Sequence, residues 1–218
     1  MKTLLTIRDM AIGYQDKTLY SGISLDIREG DCIMLCGANG SGKTTLLKSI
    51  SRTAGEGLAA MIPSRIPKVK GFTAREFIRI CCYSRSDMGG RLTEEQEASV
   101  DAAMGRMAMR HLSERDISTL SDGEFQKATI AAALAREASI ILLDEPTAFL
   151  DAENRINVLK ALRNLCDSDR HPAVIFSTHD LHDGLACANQ VIALGADGRF
   201  RCSSEELEKN VSTIFHKA

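Results

Sequence analysis

No stretch of apolar residues in this 218-residue chain approaches the length of a bilayer span, so a membrane-crossing helix is not expected. No block of Lys or Arg stands out either. The 27 basic residues are matched by 29 acidic ones, and nucleic-acid binding through a basic face is not expected. The seven cysteines contain no CxxC pair: Cys32 and Cys36 share a strand-like run, and Cys81 and Cys82 are adjacent. They read as buried, reduced thiols of a cytosolic protein rather than as a metal site. There is no internal repeat and no low-complexity tract. The start, "MKTLLTIRDM", has one Lys and a short apolar run that Arg8 and Asp9 interrupt, so it is not expected to be a signal peptide. The length suits one domain, residues 1–218, with a real core and room for a subdomain.

What is present is mixed α and β pattern. Residues 3–36 read as short strands, with "ISLDI" alternating cleanly, a polar turn at "REGD", and a buried strand "CIMLC". A helix is expected from Lys43 to about Ser51. Residues 53–71, rich in Gly and Pro, read as a short strand and loop. From Thr73 to about His111 the pattern is helical. Thr93 and Gln96 have capping-box spacing there, and Val100, Ala103, Met104 and Met107 line one apolar face. A second buried strand, "SIILLDEP", a helix over about 154–166 and a third strand, "AVIFSTHD", come next. A short helix, a strand to about Leu194 and a helix from Ser203 complete the reading. Strands alternating with helices predict an α/β fold with a mainly parallel sheet flanked by helices.

The strongest motif is Gly37-Ala38-Asn39-Gly40-Ser41-Gly42-Lys43-Thr44, which follows a strand and opens a helix. Glycines let a backbone wrap phosphates, the amides and helix terminus attract an anion, and Lys43 reaches the terminal phosphates. The Thr44 hydroxyl suits Mg²⁺, and Thr45 follows it. A second constellation is "IILLDEP". An apolar run ending in Asp144 places a carboxylate at the end of a buried strand, fit for the Mg²⁺ shell of a neighbouring phosphate loop. Glu145, next in line, is placed to orient or deprotonate a water that attacks the γ-phosphate.

A third stretch, "TLSDGEFQKATI", looks like another anion-binding helix start. Ser121 and Glu124 have capping-box spacing, and Gly123 leaves amides open. One small chain with two phosphate cradles needs an explanation.

Taken together, "GANGSGKTT", "TLSDGE", "LLDEPTAFLD" and "STHD" resemble the ATP-binding cassette ATPases in type, order and spacing, over nearly the whole chain. The resemblance implies a P-loop nucleotide-hydrolase core, a helical subdomain at about 72–120 that leads to the signature motif, and a reduced antiparallel β part. It implies that Tyr14 stacks on adenine, that Asp151 belongs to the loop after the catalytic carboxylate, and that His179 is the switch histidine at the γ-phosphate. Tyr14 as a core aromatic, and His179 as a plain strand-end residue, stay open as alternatives. The resemblance also accounts for the second cradle. Two subunits pack head to tail, and Ser121, Gly123 and Glu124 of one complete the ATP site of the other. Ser121 capping its own helix is compatible with that role.

The "LSDGE" and "ERDIS" text looks most like the subunits that power importers of ferric siderophores, haem or cobalamin. The implied assembly is a homodimer around two Mg·ATP, bound to transmembrane permease subunits and served indirectly by a periplasmic or surface substrate-binding protein. Its place would be cytoplasmic, peripheral on the inner face of the membrane. The chain departs from the family pattern in two ways. The stretch between the P-loop helix and Thr73 is short, and Ser64 stands where a Mg²⁺-contacting glutamine is expected. The expected activity is ATP hydrolysis coupled to transport, with Lys43, Glu145 and His179 catalytic. A soluble ATP-driven clamp, and a module that binds ATP with impaired hydrolysis, are the other readings. A P-loop kinase would leave "TLSDGE" and "STHD" unexplained.

Overall fold

Four runs with no alternation, "CIMLC", "IILL", "AVIFS" and "VIAL", become strands buried on both faces, as continuous apolar runs do in a covered parallel sheet. They are β3 (Cys32–Gly37), β5 (Ile140–Leu143), β6 (Ala173–Ser177) and β7 (Gln190–Leu194). With β4 (Ala59–Ile62) they form a parallel sheet in the order β4-β5-β6-β3-β7, and β8 (Phe200–Ser203) adds an antiparallel edge on β7. The computed structural model describes residues 1–14, 17–55, 57–82, 92–195 and the backbone of 200–203.

The chain folds as two units, Met1–Ser64 with Ser139–Ala148 and Leu162–Ala218, and Arg65–Ala138 with Phe149–Ala161. The first holds the sheet, α1 (Lys43–Ala54), α6 (Leu181–Cys187) and a separate two-stranded antiparallel sheet. That sheet corrects the expectation of several short strands. β1 (Thr3–Tyr14) and β2 (Lys17–Arg28) are long, and shifts in their register keep Ile7, Ile12, Tyr20, Ile23, Leu25 and Ile27 facing inward. The antiparallel part therefore lies before the P-loop, not in the short stretch after α1. One core joins these layers: β2's Ile23 and Ile27, α1's Leu46, Leu47 and Ile50, and β3's Ile33 and Leu35 share a cluster with Ile140, Ile175 and Ile192. Truncating a residue such as Leu47 to Ala would cost about 2–5 kcal/mol.

The second unit is helical. α2 (Ala74–Cys81), α3 (Glu94–Arg106) and α4 (Asp122–Ala135) each start on a complete capping box, from Thr73, Thr93 and Ser121 respectively. The segment before α2 is stitched to the one before α4: Gly71 N–H donates to Asp116 Oδ2, Ile117 N–H to the Phe72 carbonyl, and Ala74 N–H to the Arg115 carbonyl. Phe77 and Phe125 pack at 5.8 Å between centroids. Val100, Ala103, Met104 and Met107 are all buried, as their spacing requires. The first part of α5 (Ala152–Cys166) also belongs here. Ser203 closes β8, and the C-terminal helix expected from Ser203 lies outside the described residues.

Candidate functional site

Adjacent strands bring three motifs to one end of the sheet. β6 lies between β3 and β5, with Leu35 beside Ser177 and Phe176 beside Leu143. The phosphate-loop sequence after β3, Asp144 after β5 and His179 after β6 therefore leave the carboxyl ends of neighbouring strands, where open α/β sheets bind ligands.

Residues Ala38–Gly40 are exposed and Lys43 is buried at the first turn of α1. Its ammonium donates to the carbonyls of Gly37, at 2.9 Å, and Ala38, at 3.2 Å, so the lysine braces the loop it belongs to. Gly42 caps α1 in a left-handed conformation, φ 96°, which a side chain rarely adopts. The first turn of α1 has no acidic residue, so the positive end of its dipole and Lys43 act together on an anion. Ser41 Oγ is buried with no hydrogen-bond partner among the described protein atoms, a free polar atom inside the loop. Burial pushes the Cys36 thiol up to about 11, so the strand enters the loop as a neutral thiol.

The acidic pair is held tightly. Thr44 Oγ1 donates to Asp144 Oδ2 at 2.7 Å. Ser177 Oγ donates to Asp144 Oδ1 at 2.8 Å and accepts from the Glu145 N–H at 2.8 Å. Asp144 is buried, and Glu145 takes a left-handed backbone conformation, φ 49°. His179 is exposed, with Nδ1 3.9 Å from Glu145 Oε1. Thr178 and Asp180 shape the turn around it: Asp180 N–H donates to Thr178 Oγ1, and Asp180 caps α6.

Of these groups, Lys43, Thr44 and Glu145 open on a cavity of about 310 Å³, lined also by Tyr14, Leu19, Asn39, Gly40, Gly42 and Thr45; Asp144, Ser177 and His179 are not in its lining. Tyr14 is 54% exposed at the end of β1, and Tyr20 is the core aromatic, its hydroxyl donating to the Gly195 carbonyl. Ser64 is exposed two residues beyond β4 and is not in this lining.

The remaining predicted residues lie in the helical unit. Ser121 is exposed and caps α4. Its hydroxyl accepts from the Glu124 N–H, and its own N–H donates to Glu124 Oε2 at 2.8 Å. That backbone bond, before all else, holds the Glu124 carboxyl below its ordinary value. Lys68 donates to the Leu120 carbonyl and to Asp122 Oδ1, at 2.7 Å each, and so holds the chain on both sides of Ser121. Gly123 is buried, and a Cβ there would lie 2.5 Å from Asn154 Oδ1. Asp151 in turn accepts from the Asn154 backbone N–H and side-chain amide.

Sequence reasoning passed over Ser177, Asn154 and Lys68. Ser177 had a signal, a hydroxyl ending an otherwise apolar strand. Asn154 had the Asx-cap spacing from Asp151. Lys68 had none.

The described part holds no helix long and apolar enough to cross a membrane. The six cysteines Cys32, Cys36, Cys81, Cys82, Cys166 and Cys187 are free thiols, all but Cys81 buried. A family model, that of the ABC transporter, matches residues 20–148. The achromobactin transport ATP-binding protein CbrD of Dickeya dadantii (strain 3937) is 30% identical over 213 residues, 88% of this chain and 79% of that one. The aliphatic sulfonates import ATP-binding protein SsuB 1 of Nocardia farcinica (strain IFM 10152) is 34% identical over 200 residues, 90% of this chain and 79% of its own. Among solved structures, a metal-chelate type ABC transporter in an inward-facing conformation superposes with a TM-score of 0.83 at 25% identity. The match covers 97% of this chain and 88% of that one.

Proposed function

The chain belongs to the ABC transporter family, and from that premise we propose that it is the ATP-hydrolysing subunit of a membrane importer, acting as a homodimer around two Mg·ATP. The observation that carries this reading is the single hydrogen-bonded set Thr44, Asp144, Ser177 and Glu145 at the mouth of the phosphate loop. A hydroxyl and a carboxylate 2.7 Å apart are an oxygen donor set that suits a hard cation, so Thr44 and Asp144 fit Mg²⁺. The unpartnered Ser41 hydroxyl and the helix terminus fit phosphate oxygens. When bound, Mg²⁺ neutralises charge on the phosphates.

The protein's own residues do the rest. Lys43 and the loop N–H groups hold the phosphate chain, Tyr14 lies against the base, and Glu145 accepts a proton from the attacking water. As the water oxygen bonds to the γ-phosphorus, the bond to the β-phosphate oxygen breaks and ADP leaves. His179, beside Glu145, orients the γ-phosphate side of the site. Ser121, Gly123 and Glu124 of a second copy would complete each site, with Asp151 in the loop after the catalytic carboxylate; Ser64 would reach the Mg²⁺ shell through water.

The transported solute is set by partners, the permease and its substrate-binding protein, and the chain would sit on the cytoplasmic face. An iron chelate, haem or cobalamin is the proposed solute class. The name of the achromobactin relative and the metal-chelate transporter support it, while the sulfonate relative is named for a different solute. The test is steady-state phosphate release from Mg·ATP by wild type, Lys43→Ala and Glu145→Gln. Wild-type turnover well above both variants is expected. Equal rates in all three would sink the ATPase reading. Uptake assays with the reconstituted permease, comparing a ferric siderophore with an alkyl sulfonate, decide the solute.

A further inference from the structure

Ser177 stands between the two acidic residues of the site and is fully buried, at 0% exposure. A hydroxyl has one proton and two lone pairs. Here the proton goes to Asp144 Oδ1 and a lone pair takes the Glu145 N–H, both at 2.8 Å. The consequence for Asp144 is a carboxylate pinned from two sides, Oδ1 on Ser177 and Oδ2 on Thr44. For Glu145 it is a backbone anchored in a conformation, φ 49°, that residues with a Cβ disfavour. Ser177 is also the last residue of β6, two before His179, so the strand that delivers the histidine fixes both carboxylate residues.

We infer that Ser177 is the positioning residue of this site: its hydroxyl sets the direction of the Asp144 carboxylate and the backbone geometry from which Glu145 presents its own. The inference rests on the ATPase reading for its meaning. A serine that only satisfied a strand end would hold the fold without affecting metal retention.

The test uses the full chain with Ser177→Ala and Ser177→Thr. Mn²⁺ replaces Mg²⁺, and its retention in the presence of ATP is read by electron paramagnetic resonance. Ser177→Ala should weaken retention on the order of tenfold, the scale of losing a group that orients a metal ligand. Its affinity for a fluorescent ATP analogue in chelator should stay within about twofold of wild type, because the loop contacts are untouched. Turnover should fall by about tenfold to a hundredfold with KM little changed. Ser177→Thr, which keeps the hydroxyl, should restore most of both losses. If Ser177→Ala does not accumulate, Ser177→Cys, a weaker donor, should show the same losses at smaller amplitude. A folded Ser177→Ala protein that retains Mn²⁺ like wild type overturns the inference, and so does a folded Ser177→Thr protein that restores nothing. A wild-type chain that retains no Mn²⁺ with ATP sinks the ATPase reading and this inference with it.

Discussion

Asn154 occupies the space that a side chain on Gly123 would need, with its amide oxygen 2.5 Å from the place of a Cβ. Asp151 fixes that amide by accepting from both its nitrogens' hydrogens, backbone at 2.8 Å and side chain at 3.0 Å. The small residue in the signature helix is thus demanded by a neighbour in the same chain. Gly123→Ala should destabilise the protein by about 1–3 kcal/mol, the usual cost of forcing an extra carbon into a packed site. Adding Asn154→Ala should recover part of that loss, because the clash goes with the amide. A thermal-denaturation double-mutant cycle reads the coupling. Strictly additive losses would mean that α4 and the start of α5 accommodate the methyl independently.

The cap beneath Ser121 should fail in acid. The Ser121 N–H holds the Glu124 carboxyl below its ordinary 4.5. A depressed folded-state value means that the contribution is fully present above 4.5 and is lost as pH falls through the lowered value. The melting-temperature gap between wild type and Glu124→Gln should therefore be full above 4.5 and shrink as pH falls below it. Other carboxyls titrate alike in both proteins and cancel. A gap that does not change with pH would show that the Glu124 charge contributes nothing to the cap.

Tyr14 should govern the base and not the phosphates, since it brings an exposed aromatic ring to the cavity wall, while the Lys43 ammonium is bound to the loop carbonyls. An aromatic pair contributes about 0.5–1.5 kcal/mol, so Tyr14→Ala should weaken ATP binding by roughly twofold to tenfold. Tyr14→Phe should match wild type, and inorganic tripolyphosphate should bind both variants like wild type. Equal weakening for ATP and tripolyphosphate would place Tyr14 in the phosphate site or the fold instead.

Much of this site was legible because its chemistry is local in sequence. The glycine-rich loop, the strand ending in Asp144 and Glu145, and the box from Ser121 to Glu124 are each read within a few residues. The capping boxes at Thr93 and Ser121 appear as expected, because such bonds close over three positions. What was not legible depends on which strands become neighbours. Ser177 matters only because β6 lies beside β5, and nothing along the chain announces that pairing. Lys68 reaches Leu120 and Asp122 across more than fifty positions. The length of β1 and β2 was hidden by register shifts, which break the period-two signal that marks a strand.

Ser64→Gln probes the loop after β4. Ser64 is exposed and does not line the cavity that Lys43, Thr44 and Glu145 share. A glutamine extends the reach by about two heavy atoms and offers a carbonyl oxygen. Basal turnover should rise while ATP affinity stays near wild type, since small gains in positioning act on rate. A variant slower than wild type would mean that this loop does not approach the reacting groups.

Ser121 is exposed at the start of α4, and its hydroxyl already accepts from the Glu124 N–H while the Lys68 bonds to Leu120 and Asp122 steady the chain around it. A capped helix start of this kind presents ordered N–H groups to an anion, yet the cavity in the first unit already has its own loop and lysine. The two needs are met together if each Ser121 serves the nucleotide of another copy. Glu145→Gln preserves the shape of the site and removes the proton acceptor, so ATP should persist and hold two copies together. Size-exclusion chromatography with light scattering should show a dimer for Glu145→Gln in ATP and a monomer in ADP. Adding Ser121→Arg puts a bulky cation where the partner's phosphate would sit and should abolish the dimer, while each subunit still binds ATP through Lys43 as read by its thermal shift. A double variant that dimerises as well as Glu145→Gln alone would show that the helix start at Ser121 is only a cap.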